Sequence, residues 1–197
     1  GKAAFHILQM RPMVSRSPVK KVTLKDLKPE NLLCLSAQAL GNGAHRDIAD
    51  LIYVIPEKFD ALKTRDIAEE IGRLNARLRA EGRPYLIIGP GRWGSSDPSL
   101  GIPVKWAHIS GSRIIIEAAY GDFVVDPSYG THFFHNVTSL GIGYGAIHEI
   151  GPGSFISWDR LRAQPTAGEL NYIRHLRFDR PLEIRIDGSE GRAAVAL

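Results

Sequence analysis

One stretch constrains the fold more than any other. An apolar run, "DLIYVIP" from residue 50, leads into a long amphipathic run, and a second apolar run, "PYLIIG", follows from residue 84. In the middle segment Ile67, Ile71, Leu74 and Leu78 recur at steps of four, three and four, one stripe of a helix. Thr64 suits its N-cap, Asp66, Glu69 and Glu70 sit near its positive end, and Arg77 and Arg79 near its negative end. Gly82 supplies the stop, and Pro56 ends the first strand. A strand, a helix and a strand in that order predict two parallel strands joined by a right-handed crossover.

The rest of the chain adds strands. "NLLCLSAQALGNG" (31–43) reads as one strand closed by a Gly-Asn-Gly turn. "SRIIIEAA" and "DFVVDP" read as a hairpin turning at "YGD". "GTHFFHNVTS" is predicted as a short helix capped by Thr131, "GIGYGAIHEI" as a glycine-rich strand, and "SWDRLRAQ" as a short helix. Toward the end Leu182, Ile184 and Ile186 share a strand face, and a turn over 187–191 leads into "RAAVAL". The expected fold is α/β: a mixed sheet with a parallel strand–helix–strand core at 50–88, antiparallel additions, and more strand than helix.

Composition matters mainly for what it sets aside. At 44% hydrophobic and 23% charged, the 197 residues resemble a soluble globular chain. No apolar run approaches the roughly 20 residues that span a bilayer. The single cysteine, Cys34, lies in an apolar run and reads as a core residue, so a cytoplasmic protein is expected. The net charge of +4 is dispersed among acids, with no block of basic residues and no nucleic-acid motif. Neither nucleic acid nor membrane is expected as a partner. An anionic small molecule fits the charge better.

The stretch "YLIIGPGRWGSSDPSLGIPVKW" holds the first candidate site. Gly89 and Gly94 have the spacing of a phosphate loop after an apolar strand. However, Ser95 stands where lysine is required, and Pro98, Gly101 and Pro103 replace the helix that should follow. A looser reading has Gly89, Gly91 and Gly94 bringing backbone amides to an anion. Arg92 would add a charged fork, Ser95 and Ser96 hydroxyls, Trp93 a stacking face, and Asp97 a turn or a ligand. The alternative is an ordered connector around a buried tryptophan. His108, Lys105 and Arg113 lie near this loop in sequence, and Glu117 can face either side of its strand.

"DPSYGTHFFHN" gathers Asp126, His132 and His135. On a helix the two histidines would lie one turn apart, a workable metal spacing with Asp126 as third ligand. Structural histidines around a Phe-Phe pair are the alternative, and His132 is also a candidate for anion binding. The arginines of "DRLRAQ" and "YIRHLRFDRPLEIR" form a basic edge, either a solvated face or a docking surface.

The first residues, "FHILQMRPMV", place Phe5, Ile7, Gln9 and Arg11 on one strand face and His6, Leu8 and Met10 on the other, with Pro12 ending the strand. This segment resembles the closing strand of the ATP-grasp domain in phosphoenolpyruvate synthases and pyruvate phosphate dikinases. "YLIIGPGRWGSSDPSLGIPVKW", "DPSYGTHFFHN" and "TSLGIGYG" are similar to the C-terminal region of bacterial phosphoenolpyruvate synthase-like, PEP/pyruvate-binding proteins. The resemblance implies that Gln9 and Arg11 face nucleotide phosphates. It also implies a parent that uses ATP and Mg and has an ATP-grasp domain upstream as this region's partner. Residues 1–14 would be the last strand of that truncated domain, 15–30 a linker and 31–197 a single C-terminal α/β domain. None of the seven histidines follows the Gly-Gly-x-x-Ser pattern of the phosphate-relay histidine. A PEP/pyruvate barrel of about 250 residues cannot fit. The expected function is therefore the C-terminal domain of an ATP-dependent phosphotransferase, non-catalytic in isolation, with an anionic substrate or phosphate at the glycine-rich loop. The alternatives are a docking or regulatory domain with no ligand of its own, and a metal-dependent enzyme using Asp126, His132 and His135.

Overall fold

The computed structural model describes residues 22–24, 26–128, 137, 140–148, 151 and 153–197. In chain order its elements begin with β1 (Leu32–Ser36), β2 (Gln38–Leu40), β3 (Gly43–His45) and β4 (Asp50–Val54). Next come α1 (Thr64–Ala80), β5 (Tyr85–Pro90), β6 (Arg92–Trp93), β7 (Gly101–Ile102), α2 (Trp106–Ile109) and β8 (Ser112–Ala118). The chain closes with β9 (Gly143–Ile147), β10 (Phe155–Ile156), α3 (Trp158–Arg162), β11 (Thr166–Glu169), β12 (Ile173–Arg177), β13 (Glu183–Asp187) and β14 (Arg192–Ala196).

The fold is α/β with a mixed sheet. Seven strands run in the order β11-β12-β4-β5-β8-β9-β2. The central four, β4, β5, β8 and β9, are mutually parallel. The flanking strands β12, β11 and β2 are antiparallel. Strands β4, β5 and β9 are buried throughout and β8 everywhere but at Arg113, as strands covered on both faces must be. A second, antiparallel sheet has the order β10-β1-β14-β13-β3.

Helix α1 covers one face of the large sheet with Ile67, Ile71, Leu74 and Leu78, the stripe read from the sequence, all buried. Asn75 sits among them and uses its amide to join three elements. Its Oδ1 accepts from Tyr85 Oη of β5 and from the Gly111 N–H, both at 2.9 Å, and its Nδ2 donates to the Ala107 carbonyl at 2.8 Å. The helix begins at Thr64 rather than being capped by it. Its N-cap, Lys63, makes no side-chain cap bond; Asp60 caps the short 3-10 turn Ala61–Lys63 just before it, its Oδ1 accepting the Leu62 N–H at 2.8 Å. At the other end Gly82, with φ of 67°, allows Gly82 N–H to reach the Arg79 carbonyl and Arg83 N–H the Leu78 carbonyl.

The second sheet packs on the opposite face. A Cβ built on Gly143 would lie 2.3 Å from Ile186 Cδ1, so the glycines of β9 let the two sheets approach. The segment 31–43 is not one strand. It breaks at Ala37, placing β1 in the second sheet and β2 in the first. Ser36 makes the corner: its hydroxyl donates to the Ala146 carbonyl at 2.7 Å and accepts the Gln38 N–H at 3.1 Å. Cys34 is a core residue, and burial pushes its thiol up to about 12. Leu24 and Leu27, within the expected linker, pack on the outer face of β1 and β14. The expected hairpin at "YGD" reduces to a tight turn with one bridge, Tyr120 to Phe123. Strand β8 instead lies between two parallel neighbours, so "DFVVDP" is not its partner. The proposed helix at "GTHFFHNVTS" lies outside the described residues apart from Val137, as do Gln9 and Arg11. No helix among the described residues is long and apolar enough to cross a membrane.

At the start of β4 a buried acid is surrounded by cations. Asp50 accepts from His175 Nε2 at 2.6 Å, Arg83 Nε at 2.7 Å and Arg177 Nε at 2.9 Å. Burial alone would raise its pKa, but these three donors win and hold it at about 2. Arg77 Nη2 lies 3.3 Å from the other ring nitrogen of His175. Arginine can only donate, so Nδ1 accepts and the ring proton sits on Nε2, facing Asp50.

Candidate functional site

In open sheets of this kind ligands collect outside the carboxyl ends of the parallel strands. Here those ends belong to β4, β5, β8 and β9, and the loop after β5 is the glycine-rich stretch. Trp93 folds back over β5: a Cβ on Gly89 would come within 2.4 Å of the indole. The ring is buried, at 1% exposure, and its Nε1–H donates to the Ile116 carbonyl at 3.1 Å. Glycine at 89 is thus a packing requirement. Trp93 is no stacking face for a ligand.

Glu117, near the end of β8, faces inward and is fully buried. Its Oε1 accepts the Trp93 N–H at 3.1 Å and the Ser128 hydroxyl, and its Oε2 accepts the Ser128 N–H at 2.9 Å and Tyr144 Oη at 2.6 Å. Four donors fill the carboxylate's acceptor positions. Burial raises its pKa above the usual carboxylate range, because the donors from Ser128 and Tyr144 that oppose this are dipoles, not charges. Glu117 is a knot that ties the loops after β5 and β8 to β9. It has no position left for a ligand.

The glycine-rich loop is not a free anion nest. The Gly91 N–H donates to the Ala118 carbonyl at 3.0 Å, the Arg92 N–H to Leu100 at 2.8 Å, and the Gly94 N–H to Ile102 at 2.8 Å. With Trp93 bound to Glu117, four successive amides are engaged inside the protein. Two of them support the short parallel pairing of β6 with β7. At the exposed tip Asp97 Oδ1 accepts from the Ser99 N–H at 2.9 Å and Ser99 Oγ at 2.7 Å. Those bonds hold the Asp97 carboxyl below its usual range. Ser95 Oγ accepts the Asp97 N–H at 3.2 Å, and Ser96 is exposed. These side chains close a local turn instead of converging on a cleft.

Arg92 takes another direction. Its Nε donates to the Asp126 carbonyl at 2.8 Å, crossing from the loop after β5 to the loop after β8. Beside this pair stands His148, the first residue past β9. Both of its ring nitrogens are buried, and neither has a hydrogen-bond partner among the described residues. Burial lowers its pKa, the Asp126 charge opposes this, and the Arg92 charge adds to it. A buried imidazole with two idle nitrogens is uncommon and calls for a physical reason. The Arg92 guanidinium is near enough for its charge to act on the imidazole.

Arg92 and Asp126 were legible in the sequence as candidates; His148 was not. The signal available was its position, one residue beyond a strand on the carboxyl edge of the parallel sheet. His132 and His135 lie outside the described residues, and among the described residues no three His, Cys, Asp or Glu side chains group as a metal site. His108 belongs to the helix layer, its ring against Gly72 and its Nδ1 accepting the Lys105 N–H at 3.3 Å. Arg113 lies at the opposite end of β8 from the site. The basic edge is largely neutralised: Arg162 pairs with Glu57 and Asp159, Arg174 with Glu169, Arg177 with Asp50 and Glu81, and Arg185 with Asp26 and Glu183. Comparison with protein-family models, curated proteins and solved structures finds no match to this chain.

Proposed function

We propose that this chain is an anion-binding domain, non-catalytic by itself, in a phosphoenolpyruvate synthase-like ATP-dependent phosphotransferase. ATP and Mg belong to the upstream ATP-grasp domain in this reading. The observation that supports it most is the imidazole of His148, without a partner among the described residues and within reach of the Arg92 charge, at the carboxyl ends of the parallel strands. A phosphate or carboxylate oxygen is an acceptor that the imidazole and the remaining Arg92 donors would share. The recognition is by side chains, since the loop amides are engaged elsewhere. The test is thermal melting of the chain with phosphate, phosphoenolpyruvate, pyruvate, ATP, AMP and divalent metals in turn. Phosphoenolpyruvate or phosphate is expected to raise Tm in the wild type and not in Arg92→Ala. Affinity should increase as pH falls below about 6.5, where an imidazole of depressed pKa begins to gain its charge. No shift with any of these compounds would remove the reading.

The burial of Trp93 and the engagement of the loop amides favour a second reading, a domain that docks on the ATP-grasp domain and has no ligand of its own. Under it the chain binds the separately produced upstream domain, and no anion changes its melting.

A further inference from the structure

A cavity of about 250 Å³ lies on the helix-covered side of the large sheet, at its β11–β12 edge. It shares no residue with the His148 site. Its walls are fixed by a buried acid in α1. Glu70 accepts the Asn171 N–H at 3.1 Å and the Tyr172 N–H at 3.0 Å, fastening the β11–β12 turn to the helix. Leu74 of α1 and Ile173 of β12 give the cavity an apolar floor, and Leu170 stands at its rim.

The space exists because of one glycine. Gly168 pairs with His175 across the two strands, and antiparallel partners share a face. A larger side chain at 168 would project into this space. A Cβ there would meet nothing within 4 Å, and the backbone of Gly168 is not in the left-handed region. Neither packing nor conformation demands the glycine.

The charge of the walls is one-sided. Arg73 and Arg77 are one turn apart on α1 and both line the cavity. Arg73 makes no hydrogen bond or ion pair with the described residues. The one acid among the lining residues, Glu169, is held by Lys58 Nζ at 2.8 Å and Arg174 Nε at 2.7 Å. The volume is below the ~300–1,000 Å³ typical of pockets for drug-sized ligands, so the occupant is small.

We propose that this cavity binds a small monocarboxylate with an apolar body. The carboxylate is taken by the guanidinium forks of Arg73 and Arg77, and the body lies on Leu74, Leu170 and Ile173. An anion without an apolar body leaves the floor uncovered, and a neutral analogue leaves Arg73 without a partner.

The test is calorimetric titration of the full chain with benzoate and hexanoate, against acetate and inorganic phosphate as anions lacking the apolar body. Saturable binding of benzoate or hexanoate is expected, at least about tenfold tighter than acetate or phosphate. Gly168→Val, which fills the space, and Arg73→Gln, which removes an exposed unpaired cation, should each weaken it by about tenfold or more. Binding must persist in His148→Leu. The proposal is overturned if a cooperatively melting chain shows no saturable binding, or if acetate or phosphate binds as tightly. It is equally overturned if Gly168→Val and Arg73→Gln bind undiminished, or if His148→Leu abolishes the signal.

Discussion

Two histidines at opposite ends of this sheet show what burial asks of a polar group. His175 is buried with both ring nitrogens engaged, one by Asp50 and the other by Arg77. His148 is buried at its nitrogens and has no partner for either among the described residues. The acids beside them differ in the same sense. Asp50 accepts from two arginines and a histidine and sits at about 2, whereas Glu117 is surrounded by neutral donors and is raised by burial. One end is electrostatically closed. The other leaves two buried ring nitrogens without a partner among the described residues, the feature on which the proposed anion site rests.

The comparison can be broken by substitution. Glu117→Ala is expected to be the most damaging change, since it strands two buried amides and two hydroxyls; a loss of about 4 kcal/mol in urea unfolding is anticipated. His175→Leu should cost about 3 kcal/mol, because it removes one of Asp50's donors and idles Arg77. Acid unfolding sharpens the contrast between the two carboxyls. The folded pKa of Asp50 is lowered, so its contribution is present above the unfolded value near 4 and is lost as pH falls through about 2. With Asp50→Asn, the decline in stability across that window should shrink by about 2 kcal/mol. The folded pKa of Glu117 is raised, so its contribution has the opposite sign: it is full below the unfolded value near 4.5 and fades as pH rises through the folded one. Trp93→Phe removes the indole bond to Ile116 and the ring atoms packed on Gly89, and should cost about 2 kcal/mol. The smallest effect has the reverse direction: His148→Leu should stabilise by about 1 kcal/mol, since it deletes an unsatisfied buried group. A destabilising His148→Leu would show that the ring has a structural partner after all.

The sequence carried the parts of this fold that depend on local periodicity. The stripe of α1, the stop at Gly82 and the strands at 50 and 85 follow from spacing alone, and the paired burial of Ile184 and Ile186 follows from alternation. What it did not carry was decided by partners distant in sequence. Ala37 looks like the middle of a strand, yet the chain changes sheets there because Ser36 finds the Ala146 carbonyl. "DFVVDP" has strand composition, but both edges of β8 are taken by β5 and β9. The glycine-rich loop advertises free amides, and only the structure shows them donating to Ala118, Glu117, Leu100 and Ile102. Arg92 and Asp126 were visible as polar residues in loops, and their meeting depends on the order of the strands. His148 carried no local signal, because its distinction is a missing partner.

The most direct test of the site is titration of inorganic phosphate and phosphoenolpyruvate into the wild type and His148→Leu, with the thermal melt of each recorded alongside. The account predicts saturable binding by the wild type, and a leucine variant that melts higher but binds at least about tenfold more weakly. A leucine variant that binds as tightly as the wild type would contradict it, and the carboxyl edge of the sheet would then be architecture alone.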